Sequence, residues 1–295
     1  MRLGVSFPQP DIGSDPNVIR EFAQLAERAG FDYLSTFEHV AGAHKDRFVG
    51  VDTGFPDPPC LYDEPFHEPF TLFAFMAGVT SHIDFVTNVL VLPQRQTVLV
   101  AKQAAEVAIL SGDRLRLGVG IGWNHAEYEA LGANFQTRGR RVAEQIVVLR
   151  KLWSEPLVTF KGKYHALDRV GIAPLPDQPI PIWMGGGLGP KTLQRIAQLA
   201  DGWLPMGRAE VDSEIMITMH RYLEAAGREP SSLGIQGGIT ASGERADWLR
   251  AAKRWEQFGA TDLNISTGFG TGLTALQGLE RAAEIREVLV DELGY

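Results

Sequence analysis

The chain has 295 residues, 44% hydrophobic and 22% charged, which is enough apolar material for a large core and leaves no compositional case for disorder. A formal charge of −8 leaves no basic stripe for a nucleic-acid backbone, and no apolar run approaches the roughly 18 to 20 residues of a membrane span. Without a signal-peptide pattern, a cytoplasmic protein with neither nucleic-acid nor membrane partners is expected.

Residues 3–7 read as a strand. Asp15-Pro16 follows as N-cap and first helical residue, and the stripe Val18, Ile19, Phe22, Leu25, Ala26 and Ala29, stopped by Gly30, completes a first βα unit. A second strand at 33–37 leads into a long Gly/Pro/His-bearing segment, 40–67, ahead of a helix near 68–80. Strands at 84–89 and 115–119 precede helices at 98–111 and 137–153. Residues 158–165 alternate across a Lys-Gly turn and read as a hairpin inserted before the fifth strand. Strands at 180–184, 202–204, 234–237 and 262–266 are followed by helices opening near Pro190 and spanning about 211–226, 245–258 and 279–293. Eight such repeats with no dividing linker predict one α/β domain over 1–295, a (β/α)8 TIM barrel with insertions after strands 2 and 4.

In this fold the active site is built from the loops leaving the C-terminal ends of the strands. The first, Pro8-Gln9-Pro10-Asp11, lacks paired histidines, and the other histidines are scattered, so no metal is expected. Cys60 is the single cysteine and has no thiol partner, which makes it a bystander in a loop. Strand 2 ends in Phe37-Glu38-His39-Val40. The imidazole of His39 can exchange a proton near neutral pH and Glu38 can orient it, making these two the catalytic candidates. A hydrogen-bonded structural pair at a strand end fits the same spacing.

Thr87-Asn88-Val89-Leu90 closes strand 3 and can aim a side chain or carbonyl at a planar ligand. After strand 4 the alternate glycines Gly118, Gly120 and Gly122 permit close backbone approach, with Trp123 and Asn124 for stacking and hydrogen bonding; close packing against the rim is the competing reading. Gly185-Gly186-Gly187 empties through Gly189-Pro190 into a helix, which makes an anion site of bare backbone N–H groups. The run Thr267-Gly268-Phe269-Gly270-Thr271-Gly272-Leu273 reads as a mobile pocket wall or as a flexible turn.

Together these residues resemble the bacterial luciferase-like oxidoreductases, and within them the branch that uses the deazaflavin coenzyme F420. The likeness runs through Glu38-His39, Thr87 to Leu90 with Pro93-Gln94-Arg95, Ala101-Lys102 to Ser111-Gly112-Asp113-Arg114, and Gly118 to Trp123 followed by Glu127 and Leu131-Gly132. It continues through Pro181 to Gly186 and Ala200-Asp201-Gly202-Trp203. The resemblance implies a cofactor ring lying across the strand ends beside Glu38 and His39. It implies a non-proline cis peptide at Asn88-Val89 against the ring, a contact from Asn124, and a phosphate loop at Gly185, Gly186 and Gly187; Thr87 and Gly120 belong to the same cofactor-binding set. The implied activity is hydride transfer between F420 and a small organic substrate, with His39 handling the proton and Glu38 orienting His39 or bonding the ring. The alternative is an FMN-dependent monooxygenase acting with dioxygen, and a binding protein that turns nothing over is a third reading.

A homodimer is also implied, with Phe70, Phe73, Phe75, Met76, Val100 and Val107 serving either core or interface. Two departures stand out. Ala41-Gly42-Ala43-His44 lacks the aromatic residue that some deazaflavin dehydrogenases carry there, and Ile121 occupies the place of a sugar-phosphate dehydrogenase's Glu, so no carboxylate is matched after strand 4. Substrate identity is expected to be decided by the segment 40–67.

Overall fold

The computed structural model describes residues 1–51, 60–206, 211–267 and 272–295. In chain order its elements are β1 (Arg2–Ser6), α1 (Pro16–Arg28), β2 (Tyr33–Thr36), α2 (Pro69–Ala77), β3 (Asp84–Thr87), β4 (Leu90–Val91), α3 (Thr97–Ser111), β5 (Leu115–Gly120), α4 (His125–Ala130) and α5 (Arg138–Ser154). The second half adds β6 (Val158–Lys161), β7 (Ala166–Val170), β8 (Ile182–Gly186), α6 (Pro190–Leu199), β9 (Gly202–Pro205), α7 (Ser213–Ala225), β10 (Gly234–Thr240), α8 (Arg245–Gln257), β11 (Asp262–Ser266) and α9 (Ala275–Leu293).

Eight parallel strands close a TIM barrel in the order β1-β2-β3-β5-β8-β9-β10-β11, with β11 returning to β1 and β3 pairing with β5. The third predicted strand is two pieces. Beyond β3 the Asn88-Val89 peptide is cis, and β4 continues the line along the upper part of β5, with Leu90 opposite Val119 and Val91 opposite Gly120.

Local signals explain most boundaries. The Asp15 side chain accepts from Asn17 N, and Pro16 stands where a helical N–H has no partner anyway. The last helix starts at Ala275, four residues before the expected 279, because Thr274 and Gln277 form a capping box ahead of the first apolar stripe residue. The hairpin β6–β7 is also longer than read. Residues 163–165, read as its second arm beyond a Lys-Gly turn, belong with Gly162 to the turn itself, since Glu144 on α5 accepts from Lys163 N and Tyr164 N at 2.7 Å each and lies 2.7 Å from His165 Nδ1. Burial raises the Glu144 carboxyl, but the bonds from His165 and these amides outweigh it and hold the group below the usual carboxylate range.

The barrel floor, at the N-terminal strand ends, is filled by Tyr33, Arg116 and Trp183 against glycines. A Cβ on Gly4 would lie 2.1 Å from Tyr33 Cε2, and one on Gly202 would lie 2.1 Å from Trp183 Cδ2. The Arg116 guanidinium sits 4.2 Å from the Trp183 ring and donates to Asp262 at 2.8 Å, so this buried cation is both stacked and paired. These side chains fill the barrel at its N-terminal end.

Outside the barrel, Phe70, Phe73, Met76, Val100 and Val107 are buried core residues and Phe75 packs against them, leaving Val98, Leu99 and Leu110 as the exposed large apolar side chains of α3. Cys60 is buried as well. No helix among the described residues is long and apolar enough to cross a membrane.

Candidate active site

Glu38 and His39 lie two and three residues beyond the end of β2 and take different partners. Glu38 Oε2 accepts from Val91 N at 2.6 Å and Oε1 from Arg95 Nε at 2.6 Å. Arg95 in turn donates to Glu68, the N-cap of α2, at 2.8 Å. Burial pushes the Glu38 carboxyl up, while Arg95 and the Val91 amide pull it the other way. Both Glu38 oxygens are taken up by this brace, which ties the two ends of the segment after β2 to β4.

The carboxylate beside His39 is Glu127. Its Oε2 lies 3.0 Å from His39 Nδ1, and the two side chains are 1% and 10% exposed. Oε1 accepts from the amides of Val40 and Ala41 and from Gln94 Nε2. Glu127 is delivered by the six-residue helix α4, whose start is set by Asn124: Oδ1 accepts from Ala126 N at 3.1 Å and Glu127 N at 3.2 Å. Ile121 stays unmatched to a carboxylate, but Glu127, six residues further along, brings one beside His39. The readable signal was Asn124 three residues ahead of Glu127, the spacing of an N-cap and its N3 carboxylate.

Aromatic rings wall the imidazole. Phe66 stands 5.4 Å from His39 and Trp123 5.7 Å, and Phe48 packs on Trp123 at 5.5 Å. Phe48 closes a 3-10 turn, Lys45–Phe48, and Phe66 lies at the far end of the same segment. The aromatic surface missing at Ala41 to His44 thus comes from later in the segment. Its return is stapled by fully buried Gln9, which donates to the carbonyls of Phe37 and His67 and accepts from His67 N. Gln9 was weighed in the sequence only as part of a loop without metal ligands, and among the described residues no group of three metal-ligating side chains forms.

The glycines expected to face a cofactor divide into two groups. Thr87 Oγ1 is spent on Gly118 O at 2.7 Å, locking β3 to β5. Val89, just past the cis peptide, projects into the mouth; a Cβ on Gly120 would lie 2.5 Å from Val89 Cγ2 and one on Gly185 2.6 Å from Val89 Cγ1. Those two glycines are bare to admit Val89, which clusters with Trp183 and Leu204. Gly186 is likewise filled by Thr192 at 2.6 Å, whereas a Cβ on Gly187 meets nothing nearer than Met206 O at 3.8 Å. Gly189, the N-cap of α6, supplies no side-chain bond to the first turn, and the Asn124 Nδ2 is a buried donor without a partner. An open glycine, an uncapped helix start and an orphaned buried donor fit a phosphate-bearing ring cofactor. Of the run 267–273, residues 268–271 lie outside the described residues.

A parallel barrel with an imidazole, a buried carboxylate and an uncapped helix start after one of its strands places the chain in the class of TIM-barrel proteins that the comparisons identify. Residues 1–287 match the luciferase-like monooxygenase family, and the chain belongs to it. An uncharacterised protein of Mycobacterium tuberculosis is 33% identical over 250 residues, 82% of either chain. The F420-dependent hydroxymycolic acid dehydrogenase of the same organism is 30% identical over 239 residues, covering 79% of this chain and 61% of its own. Among solved structures, an F420-dependent secondary alcohol dehydrogenase in complex with an F420–acetone adduct matches with a TM-score of 0.75 at 17% identity, over 98% of both chains. The monooxygenase RslO1 from Streptomyces bottropensis matches with 0.72 at 18%, over 99% and 98%. These two likenesses show the fold.

Proposed function

We propose that the protein is a coenzyme F420-dependent oxidoreductase that transfers a hydride between the deazaflavin and a small organic substrate. The observation that carries the reading is His39, a single imidazole held by buried Glu127 and walled by Phe66 and Trp123 beside the mouth where Gly187 and the start of α6 offer an anion site. A curated relative whose name specifies F420 supports it. When bound, the deazaflavin supplies the carbon that accepts or gives hydride. Gly187 and the first turn of α6 would hold its phosphate, and Asn124 would meet its ring or side chain.

The chain's own residues supply the rest. His39 exchanges a proton with the substrate oxygen, and the rings of Phe66 and Trp123 keep bulk water from it. The Glu38–Arg95–Glu68 brace holds the segment that carries Phe48 and Phe66 in register with β4.

The alternative is an FMN-dependent monooxygenase using dioxygen, since the same anion site accepts an FMN phosphate. Anaerobic assays with reduced F420 and a panel of ketones, aldehydes and electron-poor alkenes, run beside aerobic assays with reduced FMN, separate the two. Substrate-dependent reoxidation of F420 is the expected result. Oxygen-dependent consumption of FMN with product formation, and no F420 turnover, would overturn the proposal.

A further inference from the structure

We infer that Glu127 is the positioning residue of this site: it fixes His39 as the Nδ1–H tautomer and leaves Nε2 as the atom that exchanges a proton with substrate. The inference rests on His39 being the proton carrier of the reaction proposed above.

The two oxygens of Glu127 have different surroundings. Oε1 is met by three N–H donors, from Val40, Ala41 and Gln94. Backbone amides only donate, so Oε1 carries no proton toward them. Oε2 faces His39 Nδ1 at 3.0 Å. With Oε1 already met by three donors, the carboxylate acts as an acceptor at Oε2 as well, so the ring carries the hydrogen on Nδ1 and donates. A neutral imidazole protonated at Nδ1 keeps its lone pair at Nε2.

Burial of Glu127 strengthens this hold by removing competing water. The residues that place Glu127 are also identifiable. Asn124 fixes the turn on which it rides, and the amides it gathers belong to the two residues that follow His39. One carboxylate therefore sets the orientation of the ring and the course of the segment leaving it. For an alcohol substrate, a bound deazaflavin would supply the hydride acceptor, the electron pair of the breaking O–H bond would form the carbonyl, and the proton would go to Nε2. The reverse reaction returns the proton from Nε2 to the new hydroxyl.

Long-range proton–nitrogen NMR of the full protein with 15N-labelled histidine at alkaline pH reads the tautomer directly. Its seven histidines leave few signals, and His39 is assigned from the one lost in His39→Gln. The wild-type ring is expected to show a protonated Nδ1 and an unprotonated Nε2. In Glu127→Gln the three donors keep the amide oxygen at the Oε1 position, which turns the NH2 toward Nδ1 and inverts the ring to Nε2–H. A residue that merely braced Val40 and Ala41 would leave the tautomer ratio unmoved. A wild-type ring protonated at Nε2, or an unchanged ratio in Glu127→Gln, would overturn the inference. Should that variant not fold, Glu127→Asp, one methylene shorter, should give a mixture of tautomers, and a ring that stays fully Nδ1–H there counts against the inference. F420 affinity in Glu127→Gln should stay within about threefold of wild type, whereas failure of wild type to bind F420 would sink the functional proposal and leave the tautomer result standing.

Discussion

Glu38→Ala tests the division of labour between the two carboxylates. The change removes the acceptor of Val91 N and of Arg95 Nε, and it leaves Arg95, with a side chain 12% exposed, Glu68 as its carboxylate partner. Breaking a buried pair by deleting one partner costs about 3 to 5 kcal/mol. Glu68 is 33% exposed and keeps its bond to Arg95, which places the loss near the lower end, about 3 kcal/mol. For a chain of 295 residues that corresponds to a fall in Tm of about 5 °C. Urea and thermal unfolding of wild type, Glu38→Ala, Arg95→Met and the double variant would measure it. The double variant should lose at least about 1 kcal/mol less than the sum of the single losses, because each single change strands the other's charge. A Glu38→Ala loss under about 1 kcal/mol, or strict additivity, would refute the brace.

Three further outcomes are expected. His39→Ala should leave F420 affinity within about tenfold of wild type and cut turnover by roughly a hundredfold or more, measured by binding titration and steady-state rates. Gly185→Ala drives a methyl into Val89 and Met206 and should cost about 1 to 3 kcal/mol of stability, whereas Gly187→Ala has room and should cost under about 0.5 kcal/mol while weakening cofactor binding at least about tenfold by calorimetry. Glu144→Gln should destabilise the protein by about 2 kcal/mol at pH 7. Because the folded Glu144 carboxyl lies below its ordinary value of 4.5, its stabilisation is full above that value and disappears as pH falls through the depressed one, so urea midpoints of wild type and variant should converge in acid.

The barrel was readable because each strand and helix repeats its own period and is punctuated locally, as at Asp15-Pro16 and Gly30. The site was readable only in its parts. His39 stood out as an imidazole near a strand end, but its adjacency to Glu38 along the chain suggested a contact where the two side chains take different partners. The true partner lies 88 residues away on a helix too short to show a period. Glycine runs announce missing side chains without saying what fills the space: Val89 occupies it at Gly120 and Gly185 and Thr192 at Gly186, so of the four glycines assigned to the cofactor Gly187 keeps the openness that the pattern suggested for all of them. Gln9 and Arg95 escaped notice as functional residues because their work joins segments far apart in sequence.

The most direct test of the central claim is a fluorescence titration of the apoprotein with oxidised F420 and, separately, with FMN. Trp123 beside His39 serves as the reporter. Saturable binding of F420 at micromolar or lower concentration, with FMN much weaker, is the predicted result. Preference for FMN, or binding of neither, would contradict it.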